Sequence, residues 1–130
     1  MPEKMKILVP KRKITATLEF SNESPKTVKA LLNALPIKGK FDRWGDEVLF
    51  GVPIKEKLEL KARTAVEVGE VGFWDVKPSI CIFFGPTPVS TDEKPKAYSP
   101  VNVIGKIIDV DPKIFAAVED GDEVKLEKFK

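Results

Sequence analysis

GEVGFWDVKPSICIFFG, residues 69–85, is the stretch that decides the fold of this chain. It contains the densest apolar run, residues 80–84, which is far shorter than the roughly 20 residues of a membrane helix. Because this run is apolar on both faces and rich in β-branched and aromatic residues, it predicts a central β-strand that is covered on each side. Pro86 and Pro88 end the strand, since proline cannot donate to a strand ladder.

Length and composition limit the class of protein. A chain of 130 residues, 42% of them hydrophobic, predicts a single domain over residues 1–130 with its own core. A net charge of +2 provides no strong field for nucleic acid or for a lipid surface. Without an apolar leader or a membrane-length segment, we expect a cytoplasmic protein. Histidine and glutamine are absent while lysine and glutamate are abundant, a composition reported for thermophile proteins.

One helix is predicted with clear boundaries. Ser24 is expected to cap its first amides, and Pro25 at the first helical position costs no hydrogen bond. Pro36 ends the helix, because the residue before a proline is pushed out of the α region. The apolar residues of the helix fall at the spacing of one face, which is expected to close one end of the core: Val28, Leu31, Leu32 and Leu35.

The rest of the chain reads as strands. We expect residues 5–9 to form an edge strand, and residues 58–68 to form a long strand or two joined by a bend. The other predicted strands cover residues 13–20, 37–43, 47–52, 71–74, 101–108 and 122–129. Together they predict a mainly β fold, a closed antiparallel β-barrel with one main α-helix and a short helical turn at residues 112–118. The proline-rich residues 87–100 form a connection long enough to be functional.

Standard catalytic groups are mostly missing. Without histidine there is no Ser-His-Asp or Cys-His pair. The single cysteine, Cys81, lies inside the apolar strand and is expected to act as a small hydrophobe. Asp42, Asp46 and Glu47 carry oxygen ligands of the kind that hard cations prefer, but a polar turn uses the same residues. We therefore expect no metal and no cofactor.

A cluster of aromatic residues surrounds Arg43, one of only three arginines. Period two places Phe41 and Arg43 on the same strand face, which favours an apolar pocket with the arginine fork at its rim. The alternative is a surface arginine stacked on a neighbouring tryptophan. If the pocket forms, its candidate ligand-binding residues are Phe41, Trp44, Trp74, Phe83 and Phe84.

Several segments resemble cyclophilins. KITATLEFSNESPKTVKALLNAL (residues 13–35) resembles their opening strand and helix, and KGKFDR (residues 38–43) resembles the strand that carries their essential arginine. Arg43 matches that arginine, and Phe84 best matches the phenylalanine on the floor of the proline pocket. Three segments are more similar to the small cyclophilin-like proteins of archaea and Thermotoga relatives, a family of uncharacterised function: residues 43–50, 81–88 and 99–106.

The resemblance implies a cyclophilin-like fold in which Arg43 is the candidate catalytic residue. The glutamine-glycine segment that follows the arginine in cyclophilins is replaced by residues 45–52, and their pocket tryptophan and histidine have no counterpart. We therefore expect the protein to bind peptide or proline-containing segments, with weak or no peptidyl-prolyl isomerase activity. The alternatives are a small-molecule ligand in the same pocket, or a stable barrel that acts through protein partners. Arginine keeps its charge, so binding through Arg43 should not titrate near neutral pH.

Overall fold

A computed structural model describes residues 3–129 and folds them around a ten-stranded antiparallel sheet. The helical elements are α1 (Pro25–Ala34) and two short 3₁₀ helices, Pro10–Arg12 and Pro112–Ala117. The strands are β1 (Lys4–Val9), β2 (Ile14–Phe20), β3 (Ile37–Lys40), β4 (Asp42–Trp44), β5 (Glu47–Gly51), β6 (Arg63–Ala65), β7 (Glu70–Trp74), β8 (Ser79–Phe83), β9 (Lys96–Ile107) and β10 (Glu123–Lys128). The predicted mainly β fold with one main helix is confirmed. Within residues 3–129, no helix has the length and apolarity to cross a membrane.

The sheet is not closed into a barrel, so the prediction of a closed barrel is wrong. Its strand order is β3-β10-β1-β2-β9-β7-β8-β5-β4, with β6 attached to β9. The end strands β3 and β4 are consecutive pieces of one extended segment, joined at Phe41. Only one residue separates them, which leaves no room for a turn, so they do not pair with each other; β3 pairs with β10 and β4 pairs with β5.

Strand β8 is an interior strand of the sheet and pairs on both sides, as predicted. It pairs with β7 on one side and with β5 on the other, and all five of its residues are buried. Ile80 and Ile82 point to one face and belong to the main hydrophobic core, called the inner core. Cys81 and Phe83 point to the opposite, outer face of the sheet. There they form a second group of buried residues, called the outer cluster, with Val66, Ala97, Val101 and Val103.

The predicted apolar face of α1 packs on the inner core. Leu31 and Leu35 are buried, while Val28 and Leu32 are partly buried against the same core. The helix ends before Pro36, as the sequence indicates. Its packing on the inner face leaves the outer face of the sheet to loops and to the ends of strands.

The cap of this helix differs from the prediction. Ser24 makes no capping hydrogen bond, and its Oγ is buried without a partner among residues 3–129. Instead, the Glu59 carboxylate accepts hydrogen bonds from the amides of Lys26, at 3.2 Å, and Thr27, at 2.9 Å. It also accepts one from the Thr27 hydroxyl, at 2.6 Å. A carboxylate from a distant segment therefore replaces the local serine at the positive end of the helix.

Two strand predictions are also wrong. β1 is an interior strand rather than an edge, since it pairs with both β10 and β2. Only Arg63–Ala65 of the predicted strand at residues 58–68 pairs in a sheet. The buried side chain of Asn102 fixes the preceding segment, because it accepts a hydrogen bond from the Glu59 amide and donates one to the Lys57 carbonyl. These side-chain bonds replace the ladder that the alternating sequence predicts.

Candidate functional site

A cleft of about 390 Å³ opens on the outer face of the sheet, beside the outer cluster. Strands β4, β5, β7, β8 and β9 all contribute side chains to it, and most of its surface is apolar. We call it the aromatic cleft, after the rings that form its walls. Its lining includes Trp44, Glu47, Trp74, Cys81, Tyr98 and Ser99.

The β4–β5 hairpin positions two of these residues. Its two-residue turn has Gly45 at the first central position with φ of +61°, a conformation that favours glycine. A Cβ atom on Gly45 would lie 2.7 Å from Cδ of Pro88, so there is also no room for a side chain. The turn pairs Trp44 directly with Glu47. Both side chains consequently project from the outer face of the sheet.

Three aromatic rings form the walls of the cleft. Tyr98 lies edge-on to Trp44 and to Trp74, with ring centroids 6.1 and 6.4 Å apart. The Trp74 indole N–H donates a 2.7 Å hydrogen bond to Oγ of Ser99, which fixes the orientation of that ring. Tyr98 forms the open rim, since 71% of its surface is exposed. The rings therefore enclose a corner that faces solvent, instead of stacking on one another.

Glu47 places a carboxyl group in this apolar surrounding. Only 5% of the residue is exposed. Burial raises the pKa of Glu47 to about 7, although the adjacent Cys81 thiol acts in the opposite direction. Among the described ion pairs, none joins this carboxyl to an arginine or lysine. Glu47 is thus a buried acid that changes its charge near neutral pH.

Cys81 lies beside Glu47 but has no features of a nucleophile. It is buried, and desolvation raises the pKa of its thiol well above the usual range. The nearby charge of Glu47 raises that pKa further. Because the thiolate is the reactive form, the Cys81 thiol is expected to be inert at neutral pH.

Arg43 projects from the other face of the same hairpin, and its donors are used within the protein. Its Nε donates to the Gly45 carbonyl at 2.9 Å. Its Nη1 donates to the carbonyls of Ala116, at 2.6 Å, and Val118, at 3.3 Å. Its Nη2 is 3.3 Å from the Asp46 carboxylate. The guanidinium therefore ties the hairpin to the end of the second 3₁₀ helix.

The structure divides the aromatic residues that the sequence singles out. The Arg43 guanidinium lies 5.3 Å from the ring centroid of Phe84, but Phe84 is only 2% exposed. Phe41 is buried in the inner core and Phe83 in the outer cluster. Trp44 and Trp74 come together at the aromatic cleft. A ligand-binding role for this set of residues stays a prediction.

Sequence reasoning did not single out Glu47 or Tyr98 as partners in one site. Glu47 entered only as a possible cation ligand with Asp42 and Asp46, yet Asp46 pairs with Arg43. No group of three acidic or cysteine side chains comes together to hold a metal ion within residues 3–129. The sequence did contain one signal for the burial of Glu47. Because β8 is predicted to be buried on both faces, residues of a neighbouring strand that point to the outer face are expected to be buried as well.

The chain belongs to the cyclophilin-like family, whose sequence model matches residues 3–127. A hypothetical protein from Archaeoglobus fulgidus, AF2241, has a similar solved structure, with a TM-score of 0.83 and 35% sequence identity; the match covers 98% of this chain and 95% of that one. McbB, solved in complex with tryptophan, has the same fold, with a TM-score of 0.77 at 14% identity over 95% of this chain and 44% of McbB. Among curated proteins, none matches.

Proposed function

We propose that this protein binds a small organic molecule in the aromatic cleft. The observation that carries this proposal is a buried carboxyl group, Glu47, inside a corner of three aromatic rings. A cleft of about 390 Å³ lies in the range of small-molecule sites, which combine apolar walls with a few well-placed polar groups. The walls come from strands of one sheet, so the site is built on a rigid frame.

Binding of a peptide or proline-containing segment at Arg43, with weak isomerase activity, is the second candidate. It rests on the resemblance of the arginine strand to that of cyclophilins. Assisting rotation about a prolyl bond needs a donor aimed at the amide and an open apolar floor. The donors of Arg43 are engaged by main-chain carbonyls, and Phe84 is buried. These contacts favour the small-molecule proposal, with little or no isomerase activity.

The fold itself is compatible with such a ligand. McbB, which shares this fold over less than half of its own length, has been solved in complex with tryptophan. An aromatic amino acid therefore belongs among the first compounds to test on this chain.

Tryptophan fluorescence provides a direct test, because the chain has two tryptophans and both face the cleft. We would titrate a panel of cationic, anionic and uncharged aromatic compounds, using calorimetry for those that fluoresce. At least one should give saturable binding, and Tyr98→Ala should weaken it about tenfold through the loss of one wall. Val76→Ala is a matched control, since Val76 is also 71% exposed but lies outside the cleft. If no compound of the panel binds, or if both variants lose affinity equally, the proposal is contradicted.

The isomerase candidate is tested separately by proline-limited refolding of a substrate protein. We expect equal refolding rates with and without this protein. Strong acceleration by the wild type that Arg43→Ala abolishes would show that the enzyme interpretation is the correct one.

A further inference from the structure

We propose that the aromatic cleft selects an organic ammonium ion, with its charge against Glu47 and its apolar body on Trp44, Trp74 and Tyr98. This inference rests on the proposed function of the cleft and specifies the chemical class of its ligand. It is carried by the geometry of the rings and by the position of the buried Glu47 carboxyl group beside them.

The rings are arranged to contact a cation from several directions. Tyr98 makes interplanar angles of 81° with Trp44 and 80° with Trp74. Indole and phenol rings attract cations through their electron-rich faces, and this attraction increases when the cation is removed from water. An ammonium group with an apolar body would satisfy both the ring faces and the apolar floor.

The charges around the cleft favour a cation over an anion. The titratable or charged residues along the cleft are Asp42, Glu47, Cys81 and Tyr98, together with Arg43, whose guanidinium projects from the other face of the hairpin. The Arg43 guanidinium donates hydrogen bonds to carbonyls and pairs with Asp46 at the other face of the hairpin. Glu47 therefore has no internal counterion in the described chain. A buried carboxylate without a counterion is costly, and a ligand ammonium would supply the missing charge. An anionic ligand would add a further negative charge beside the Asp42 and Glu47 carboxyl groups.

The ionisation of Glu47 then couples binding to pH. Burial raises the pKa of Glu47 to about 7, so part of the protein carries a neutral carboxyl at neutral pH. An ammonium ion pairs with the carboxylate form, and binding therefore releases a proton from Glu47 to solvent. The Cys81 thiol beside it has a raised pKa and stays neutral in this range. The affinity for the ammonium should rise about tenfold per pH unit below the Glu47 midpoint and level off above it.

The test compares two probes with the same body. Phenethylamine is an ammonium ion through neutral pH, whereas phenethyl alcohol is uncharged. Both are titrated against the wild type and against Glu47→Gln, from about pH 5.5 to about pH 8, with tryptophan fluorescence as the readout. The wild type should bind the amine at least about tenfold more tightly than the alcohol at the upper pH, and only the amine should gain affinity as the pH rises. In Glu47→Gln the ratio of the two affinities should fall to about one.

Other outcomes are distinguishable. Equal affinity for amine and alcohol at the upper pH would overturn the inference, as would a rise with pH that persists in Glu47→Gln. Binding of other panel compounds without binding of phenethylamine would also overturn it. All three results leave the proposal of small-molecule binding intact. Failure of every compound would contradict the proposed function itself. Because the wild-type comparison of the two probes needs no variant, the test does not depend on the folding of Glu47→Gln.

Discussion

The two faces of the β4–β5 hairpin carry charged residues in opposite conditions. On one face, Arg43 donates hydrogen bonds to three carbonyls and lies beside a carboxylate. On the other face, Glu47 is nearly fully buried and has no charged partner within the described residues. Arg43 therefore holds the hairpin against the end of the second 3₁₀ helix, while Glu47 lacks an internal counterion in the described part of the chain. Of these two residues, the unpaired one marks the candidate ligand site.

The inner core and the outer cluster differ in a similar way, in their access to solvent. The inner core is sealed by α1 and by the strands themselves. The outer cluster lies next to a solvent-facing corner of aromatic rings with an acid in it. We expect substitutions on the inner face to change stability, and substitutions on the outer face to change binding and its dependence on pH.

The largest effect is expected on the inner face. Ile82→Ala should lower the free energy of unfolding by about 2–5 kcal/mol, because it leaves a cavity beside a fully buried strand. Urea unfolding measures this loss, and Leu60→Ala, at a fully exposed position, serves as the control. A loss no larger than that of the control would mean that β8 is not the centre of the core.

A substitution on the outer face is expected to change how the free energy of unfolding depends on pH. The pKa of Glu47 is raised to about 7 in the folded protein, so its contribution to stability is full at low pH and is lost as the pH rises through 7. Glu47→Gln should therefore raise the free energy of unfolding by about 3 kcal/mol above pH 7 and change little near pH 4. Urea unfolding across this range checks it, with Glu93→Gln as an exposed control. A gain that does not change with pH would contradict the assignment.

Arg43 should behave as a tie and not as a binding residue. Arg43→Lys should cost about 0.5–1.5 kcal/mol of stability, since a lysine ammonium cannot reproduce the fork that reaches several carbonyls. The affinity of the aromatic cleft for its ligand should stay within about twofold, because the guanidinium projects from the opposite face. Thermal unfolding and the fluorescence titration measure the two quantities. A large loss of affinity at unchanged stability would reverse the comparison.

The smallest effect is expected at the start of α1. Ser24→Ala should not lower the free energy of unfolding by more than about 0.5 kcal/mol, because its buried hydroxyl makes no hydrogen bond that the substitution could remove. Glu59→Gln should cost about 1 kcal/mol, since Glu59 accepts the bonds that a cap provides. If chemical denaturation ranks the two variants in the reverse order, Ser24 is the cap after all.

Much of the fold could be predicted because the decisive signals are local. Residues 80–84 are apolar on both faces, which is enough to identify β8, and proline at positions 25 and 36 brackets α1. The errors arise where distant contacts decide the structure. Alternation alone could not show that Asn102 would hold the segment around Glu59 out of a ladder, and no local pattern shows that β3 and β4 end at separate edges.

The candidate site was also predictable only where local sequence patterns decide it, and not where distant contacts do. Strand parity places Phe41 and Arg43 on one face, and both do lie on the inner side of the sheet. The sequence could not show that Ala116, 73 residues away, would take up the arginine's donors. Nor could it show that Tyr98, beside a proline-rich loop, would form the rim of the cleft that Glu47 lines. The sequence predicts no titration near neutral pH for binding through Arg43, whereas burial raises the pKa of Glu47, on the other face, to about 7.

We propose above all that Glu47 is a buried acid whose counterion is a ligand cation. Carbon-13 NMR of the glutamate side-chain carboxyls, followed against pH with and without phenethylamine, tests it most directly. We predict one carboxyl with a midpoint near 7 that is absent in Glu47→Gln, and whose midpoint falls when phenethylamine binds. A Glu47 carboxyl that titrates in the ordinary range of about 4.3, or whose midpoint is unmoved by saturating amine, would contradict the account.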